Sequence, residues 1–213
     1  MSDSIDPHGG QKVLHSGPAP ETARRTAIFL HGRGASAPDI LGLTAALHLS
    51  DVAFLAPEAA GHTWYPLSFL APIERNEPWL TSALNTVNRL VTSLEARGVP
   101  SERIAIGGFS QGACLTLEFA ARHPRRYAAL LGLSGGLIGP PGTPRQYEGS
   151  LIGTSVFLGC SDVDPHIPLD RVKESADVFA RMGATVDTRI YPGMGHLVND
   201  DELAAVQALL GRS

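Results

Sequence analysis

Three residues, Gly108, Ser110 and Gly112, match the pattern Gly-x-Ser-x-Gly. The match falls between a predicted strand that ends near Gly107 and a predicted helix over residues 112–123. On so tight a strand-to-helix turn, a serine adopts a strained backbone and projects its Oγ above the sheet, while glycines on either side avoid collisions with neighbouring elements. The pattern alone specifies only three positions, but with this context it indicates that Ser110 is a nucleophile.

A candidate general base, His196, lies in a glycine-rich loop after the last predicted strand. Two aspartates, Asp162 and Asp164, stand between the serine and this histidine in the chain, which gives the Ser–Asp–His order of triads on sheets of this kind. Asp164, four residues before Pro168, is the preferred acid. Asp162 is the alternative, or a residue that braces the loop through its own backbone.

An oxyanion hole is predicted at the turn over residues 31–34, of sequence His-Gly-Arg-Gly, which directly follows a predicted strand. We assign the hole to the backbone N–H groups of Arg33 and Gln111. A plain glycine-rich turn is the alternative. The Arg33 side chain either faces solvent or contacts an anionic or polar part of a substrate. His31 and His62 are interpreted as supporting residues, and the histidines show no metal-ligand spacing.

Four aromatic or apolar residues of one irregular segment are candidates for a substrate pocket: Trp64, Tyr65, Phe69 and Leu70. The equally weighted alternative is that these side chains pack a surface loop onto the core. An exposed apolar patch in this segment would serve a homodimer as readily as a substrate.

The elements that must position these residues alternate along the chain. Strands are predicted over residues 27–31, 52–56, 103–106, 129–133, 155–158 and 186–191. Helices are predicted over residues 80–94, 112–123, 169–182 and 201–210. The alternation indicates an α/β fold with a mostly parallel central sheet and helices on both faces. Two irregular segments, residues 64–76 and 135–153, are expected beside the strand ends, where ligands bind.

Length and composition fit one globular domain: the chain has 213 residues, 43% hydrophobic and 18% charged. We place a polar N-terminal tail at residues 1–10 and a single domain over residues 11–213. The formal net charge is -4, from 17 basic and 21 acidic residues, and no basic run is present. This pattern argues against binding of nucleic acid.

The sequence also bears on compartment. The N-terminus lacks the apolar region of a signal peptide, and no stretch approaches the ~20 continuous apolar residues of a membrane helix. Cys114 and Cys160 lie in apolar segments and are interpreted as buried free thiols rather than as a disulfide or redox pair. We therefore expect a cytoplasmic protein without stable membrane association.

Taken together, these motifs resemble the phospholipase/carboxylesterase family of the α/β-hydrolase superfamily, which contains acyl-protein thioesterases and small bacterial carboxylesterases. The resemblance rests on residues 28–32, 98–112, 164–168 and 195–196, and it covers most of the chain. It implies the α/β-hydrolase fold with a minimal lid, no cofactor, and Asp164 as the acid. It also implies serine-dependent hydrolysis of carboxylic esters through an acyl-enzyme on Ser110.

Departures from the acyl-protein thioesterases bear on the substrate. Those enzymes resemble His-Gly-Leu-Gly-Asp at the oxyanion turn, where this chain has Arg33 and Ala35, and their His-Gly before the acid loop is here Leu158 and Gly159. These departures favour a small-molecule ester. A thioesterase or amidase, a dienelactone-hydrolase-like enzyme and a non-catalytic binding module of the same fold are the alternatives. Dienelactone hydrolases use cysteine at the elbow, and a non-catalytic relative should lack a triad member.

Overall fold

A computed structural model of the protein describes residues 6–212. The strands are β1 (Val13–Ser16), β2 (Arg25–Leu30), β3 (Val52–Pro57), β4 (Ile104–Phe109), β5 (Ala129–Leu133), β6 (Ser155–Ser161) and β7 (Thr185–Tyr191). The α-helices are α1 (Ala37–Ala45), α2 (Trp79–Ala96), α3 (Gln111–Arg122), α4 (Leu169–Arg181) and α5 (Asp200–Gly211). Short 3₁₀ helices lie at Ala60–His62, Ile73–Asn76 and Ser101–Arg103.

These strands form one seven-stranded sheet in the order β1-β3-β2-β4-β5-β6-β7. β1 runs antiparallel to β3, and every other neighbouring pair is parallel. Helices join the successive parallel strands except between β5 and β6, which an irregular segment connects. Because β2 to β7 all run in the same direction, their carboxyl ends meet at one edge of the sheet. The predicted α/β fold with a mostly parallel sheet is confirmed.

Both faces of the sheet are buried, which explains why the central strands are apolar at successive positions. In β2, Ile28 and Leu30 pack into one core layer, while Ala27 and Phe29 pack into the other. Successive side chains of a strand point to opposite faces, so a strand covered on both sides needs apolar residues throughout. Helices α2, α3 and α4 border the first layer, and α1 and α5 border the second.

Two elements, β1 and α1, were not predicted. β1 is a four-residue edge strand with mostly exposed side chains, so it lacks an apolar signal. In α1, Pro38 stands in the first turn and Gly42 in the middle. Proline and glycine are typical of turns, which hid this helix. Pro38 costs little in the first turn, where the backbone N–H has no partner in the helix, and the packing of α1 against the sheet outweighs the low helix propensity of Gly42.

Part of the predicted tail over residues 1–10 packs against the domain through His8, and residues 1–5 lie outside the described residues. The His8 backbone N–H donates to Ser82 Oγ at 2.9 Å, and its ring Nε2 lies 2.9 Å from Trp64 O. Nδ1 of the same ring accepts from the Ala60 N–H at 3.1 Å. Because every polar atom of His8 finds a partner, the residue is buried despite its polarity.

The irregular segments, residues 64–76 and 135–153, come after the carboxyl ends of β3 and β5. Neither contains an α-helix, which agrees with the expectation of a minimal lid. Within residues 6–212, no helix combines the length and the apolarity that crossing a membrane requires.

Candidate active site

Ser110 lies at the single residue between the end of β4 and the start of α3. Its backbone has φ 56° and ψ -118°, a conformation that residues with a side chain rarely adopt. The Ser110 N–H donates to Leu133 O on β5 at 2.9 Å, and its carbonyl accepts from the Cys114 N–H at 3.0 Å. These bonds hold a strained turn whose side chain faces the carboxyl edge of the sheet.

The glycines on either side of Ser110 are required by close backbone contacts. A Cβ on Gly108 would lie 2.8 Å from Leu30 O, and a Cβ on Gly112 would collide with the same carbonyl oxygen. Real Cβ atoms do not approach so closely, and backbone cannot move aside as a flexible side chain can. Only glycine at both positions lets α3 begin directly beside β2.

A continuous chain of hydrogen bonds joins three of the predicted residues. His196 Nε2 lies 2.8 Å from Ser110 Oγ, and His196 Nδ1 lies 2.7 Å from Asp164 Oδ2. The Asp164 side chain is fully buried. Its Oδ1 accepts from the backbone N–H groups of His166 at 2.8 Å and Ile167 at 3.0 Å. The structure thus brings Ser110, His196 and Asp164 together in the order serine, histidine, acid.

The ionised form of Asp164 is favoured by its surroundings. Burial by itself raises the pKa of Asp164, but the hydrogen bonds from His196 and from the backbone of His166 and Ile167 outweigh burial and hold the pKa below its ordinary value. A buried carboxylate beside Nδ1 selects the imidazole tautomer whose Nε2 can accept the Ser110 proton. Packing also orients the ring, since Phe109 and His166 lie 4.9 and 4.8 Å from it, centroid to centroid.

Asp162, the alternative acid, contacts a different part of the histidine loop. Its Oδ1 accepts from the Gly193 N–H at 2.8 Å, and the Ser161 hydroxyl accepts from the Gly195 N–H at 3.1 Å. Asp162 was predicted to brace its own loop through a local backbone hydrogen bond. It instead joins this loop to the histidine loop through Gly193. Sequence reasoning missed Ser161, and nothing in its type or spacing singles it out.

The histidine loop is anchored at its far end by the start of α5. Asn199 Oδ1 accepts from the Glu202 N–H at 2.8 Å, and Glu202 Oε2 accepts from the Asn199 N–H at 3.0 Å. Glu202 is buried against Gly159, where a Cβ would collide with Oε1. Burial raises the pKa of Glu202 to about 7. The Asn-x-x-Glu pattern is a capping-box signal that the sequence analysis did not use.

Two backbone N–H groups are free beside the serine, as an oxyanion hole requires. Gln111 is the first residue of α3, so its N–H has no acceptor within the helix. The N–H groups of Gly34 and Ala35 are bonded, at 2.8 and 3.2 Å, but the Arg33 N–H has no acceptor among residues 6–212. Both predicted donors therefore remain available to a substrate oxygen.

The histidines near this turn are structural. The His31 ring is fully buried, with Nδ1 2.8 Å from Gly32 O and Nε2 accepting from the Ala59 N–H at 3.1 Å. Burial lowers the pKa of His31, which favours the neutral ring. The backbone carbonyl oxygen of His62 accepts a hydrogen bond from the Gly34 N–H. Both residues shape the turn without reaching Ser110.

The side chains of the two oxyanion residues hold residues 63–70, which we call the aromatic strap. Gln111 Nε2 donates to Tyr65 O at 2.8 Å, and Gln111 Oε1 accepts from the Trp64 N–H at 2.9 Å. The Arg33 guanidinium donates to Pro66 O at 2.8 Å and to Leu67 O at 2.6 Å. Arg33 is exposed, but the strap holds its guanidinium in place, and no carboxylate among residues 6–212 pairs with it. Sequence reasoning did not foresee these side-chain roles.

A cavity of about 550 Å³ opens above Ser110, of the size that small-molecule sites have. Its walls come from the oxyanion turn, the strap, the elbow and the acid and histidine loops: Gly32, Arg33, Ala35, Tyr65, Pro66, Leu67, Ser68, Phe69, Phe109, Ser110, Gln111, Cys114, His166, Ile167 and His196. Of the four predicted pocket residues, Tyr65 and Phe69 line this cavity.

The prediction that Trp64 and Leu70 line the pocket is wrong. Trp64 is fully buried, and its indole N–H donates to His31 O at 2.9 Å while its ring packs on the rings of His8 and His31. Leu70 is partly buried against the core. Because Trp64, Tyr65 and Phe69 are all buried, these three side chains do not form the exposed apolar patch that would have served a homodimer or a substrate.

The second irregular segment, residues 135–153, supports the cavity from behind. The Gly139 N–H donates to Phe69 O at 2.7 Å, and buried Arg171 donates to Leu137 O and Gly139 O at 2.7 and 2.6 Å. No residue of this segment lines the cavity. Its contribution to the site is therefore indirect, through the position of Phe69.

Both cysteines are buried and free, as predicted. Burial raises the pKa of Cys114 and of Cys160 to about 12. Cys114 lines the cavity one turn after Ser110, but a protonated thiol is a poor nucleophile. Among residues 6–212, no group of three or more His, Cys, Asp or Glu side chains is arranged to hold a metal ion.

Comparison with known proteins agrees with this geometry. Acyl-protein thioesterase 1 of Saccharomyces cerevisiae is 27% identical over 216 residues, which cover 91% of this chain and 94% of the yeast protein. A phospholipase/carboxylesterase structure from Dyadobacter fermentans is 40% identical, with a TM-score of 0.91 over 95% of this chain and 97% of that one. The Arabidopsis thaliana SOBER1 structure, 22% identical with a TM-score of 0.75 over 89% and 99% of the two chains, supports the fold alone.

The family comparison covers nearly the whole chain. The model of the phospholipase/carboxylesterase family matches residues 15–212, a range that contains the elbow, the acid loop, the histidine loop and the aromatic strap. This match, the similar D. fermentans structure and the hydrogen bond between Ser110 and His196 together show that the chain is a serine ester hydrolase that belongs to the phospholipase/carboxylesterase family.

Proposed function

We propose that this protein is a carboxylesterase of small-molecule esters that works through an acyl-enzyme on Ser110. The observation that carries the proposal is the hydrogen-bonded chain from Ser110 Oγ through His196 to buried Asp164. This chain lies in a cavity of about 550 Å³, beside the free N–H groups of Arg33 and Gln111. A nucleophile, a base, an orienting acid and an anion site are the groups that acyl transfer needs.

In the acylation half-reaction, His196 Nε2 accepts the proton of the Ser110 hydroxyl as Oγ attacks the ester carbonyl carbon. The carbonyl π electrons move to oxygen and form a tetrahedral oxyanion. When that intermediate collapses, the C–O bond to the alcohol breaks, and Nε2–H protonates the leaving oxygen. Asp164 accepts the hydrogen bond of Nδ1–H throughout and stabilises the imidazolium without taking its proton.

The deacylation half-reaction repeats these steps with water. His196 removes a proton from water, the resulting hydroxide adds to the acyl carbon, and the bond to Ser110 Oγ breaks as His196 returns the proton to it. In both tetrahedral intermediates, the N–H groups of Arg33 and Gln111 donate to the oxyanion. Removing one such donor in other hydrolases lowers kcat by about 10²–10³.

Thioester hydrolysis is the second candidate, because the yeast relative is an acyl-protein thioesterase. The same residues would release a thiol in place of an alcohol. The departures at Arg33 and Ala35 favour a small substrate over an acylated protein, as does the cavity of about 550 Å³ that the strap helps to line. Ser110 in place of cysteine disfavours a dienelactone hydrolase, and the complete triad disfavours a non-catalytic binding module.

The remaining expectations stand as part of this proposal. The chain needs no cofactor for the steps above, and its partner is a small-molecule ester rather than nucleic acid or a membrane. A cytoplasmic location stays a prediction, and a homodimer stays an alternative.

The test is hydrolysis of p-nitrophenyl esters from acetate to palmitate by the wild type, Ser110→Ala and Ser93→Ala. Removing the nucleophile should lower kcat by about 10⁶. Ser93, an exposed serine of α2, is the matched control and should leave kcat within twofold. A fluorophosphonate probe should label the wild type and Ser93→Ala only. Activity of Ser110→Ala within tenfold of the wild type would contradict the assignment.

A further inference from the structure

The Arg33 guanidinium is a fixed cation at the wall of the cavity. It donates through Nη1 to Thr63 Oγ1 at 3.1 Å and Pro66 O at 2.8 Å, and through Nη2 to Leu67 O at 2.6 Å. Its Cζ lies 5.9 Å from the centroid of the Tyr65 ring. Four contacts with the aromatic strap therefore order a side chain that would otherwise sample many rotamers.

All these contacts are with neutral groups. No carboxylate oxygen of residues 6–212 lies within 4.0 Å of the Arg33 guanidinium nitrogens. The Nε–H and one Nη2–H have no acceptor within the same range, and a guanidinium has five N–H donors in all. By contrast, Arg171, which is buried behind the strap, is paired with Glu174 at 2.6 Å.

The cavity contains no acidic residue that would cancel this charge. Its titratable lining residues are Arg33, Tyr65, Cys114, His166 and His196. Asp164, the acid of the site, is fully buried and accepts bonds from its own loop and from His196. A cleft lined by one sign of charge concentrates ligands of the opposite sign.

We propose that Arg33 selects esters that carry a carboxylate substituent, a specificity that rests on the proposed esterase function. The Arg33 backbone N–H is one of the two proposed oxyanion donors, and the side chain of the same residue has two further free donors for an anion on the substrate. Because the strap already orders the guanidinium, little conformational entropy is lost when the carboxylate binds. A preference of about tenfold over a neutral ester is expected for a charge-assisted hydrogen bond from a guanidinium that is already ordered.

The experiment measures kcat/KM for two pairs of esters that differ in charge. One pair places the charge on the acyl half: mono-4-nitrophenyl adipate and 4-nitrophenyl hexanoate. The other places it on the alcohol half: 4-acetoxybenzoate and methyl 4-acetoxybenzoate. The charged-to-neutral ratio is compared among the wild type, Arg33→Gln and Arg33→Lys. Any disturbance of the oxyanion turn or the strap affects both members of a pair, so the ratio isolates the charge.

In the wild type, at least one pair should show a ratio of about ten. Arg33→Gln should lower that ratio about tenfold, and Arg33→Lys should keep it within about threefold. Added salt should reduce the ratio of the wild type and leave that of Arg33→Gln unchanged. Ratios at or below one for both pairs, or a ratio unchanged in Arg33→Gln, would overturn the inference while hydrolysis of the neutral esters still supported the proposed function. A wild type that hydrolyses no ester would overturn both.

Discussion

The elbow around Ser110 and the loops that carry Asp164 and His196 reach the same point of the molecule by different physical means. The elbow is held by its backbone: a strained φ of 56°, ladder pairing on both sides, and two glycines against the Leu30 carbonyl. The loops are held by side chains that accept backbone N–H groups. A nucleophile is thus placed by sterics and its partners by hydrogen bonds.

This difference shows where each region tolerates change. In the elbow, the short distances are between Gly108 or Gly112 and the backbone of Leu30, and a backbone atom cannot move aside to admit a side chain. In the histidine loop, Asp162 holds Gly193 and Ser161 holds Gly195, so each brace depends on one side-chain oxygen. A substitution in the loops should therefore act on a defined bond, whereas one in the elbow should act on the fold.

Among the changes that test this comparison, Asp164→Asn should have the largest effect, a loss of kcat. Asp164→Asn removes the charge beside Nδ1 and disturbs the imidazole tautomer, so kcat should fall about 10⁴-fold. Asp162→Asn is the matched control, because an amide oxygen can still accept the Gly193 N–H, and kcat should stay within tenfold. Steady-state kinetics on one p-nitrophenyl ester decides the matter. Equal losses in the two variants would show that the loop, not the acid, was disturbed.

A methyl group in the elbow should give the next largest effect, on stability. Gly112→Ala places a Cβ against the Leu30 carbonyl oxygen, and the free energy of unfolding should fall by about 3 kcal/mol or more. Gly42→Ala is the control, since nothing lies within 4 Å of its Cβ in α1. That variant should gain about 0.5–1 kcal/mol from helix propensity. Denaturant unfolding measures both, and an elbow variant as stable as the wild type would contradict the steric argument.

The smallest effect should come from Glu202 and depend on pH. Burial raises its folded pKa to about 7, above the ordinary value of 4.5, so the folded state binds more protons between these values. Stability should therefore fall as pH rises from 4.5 to 7, by up to about 3 kcal/mol, and stay lower above 7. In Glu202→Gln, the glutamine can still complete the capping box, but it has no carboxyl group to titrate.

Unfolding by urea at pH 5 and pH 8 checks this prediction. Glu202→Gln should be more stable than the wild type at pH 8 and close to it at pH 5. Glu148→Gln, at an exposed residue of the 135–153 segment, serves as a control and should leave the stability unchanged at both pH values. A wild type and a Glu202→Gln variant that lose equal stability between the two pH values would rule out Glu202 as the cause.

Much of the architecture could be predicted from the sequence because it depends on neighbours in the chain. The alternation of apolar strands and periodic helices predicted the parallel sheet, although β4 continues to Phe109, three residues beyond the predicted end of that strand. β1 and α1 escaped prediction because their contacts with the sheet, not their own composition, stabilise them.

The sequence by itself determined the elbow, since Ser110 and its glycines form a turn whose sterics are complete within a few residues. Only the tertiary structure decided which aspartate contacts His196, because the Asp164–His196 contact joins residues 32 positions apart. It also decided that Trp64 belongs to the core and that the Gln111 and Arg33 side chains hold the strap. The type of a residue determines which hydrogen bonds its side chain can form, whereas the packing of distant segments determines which of them it does form.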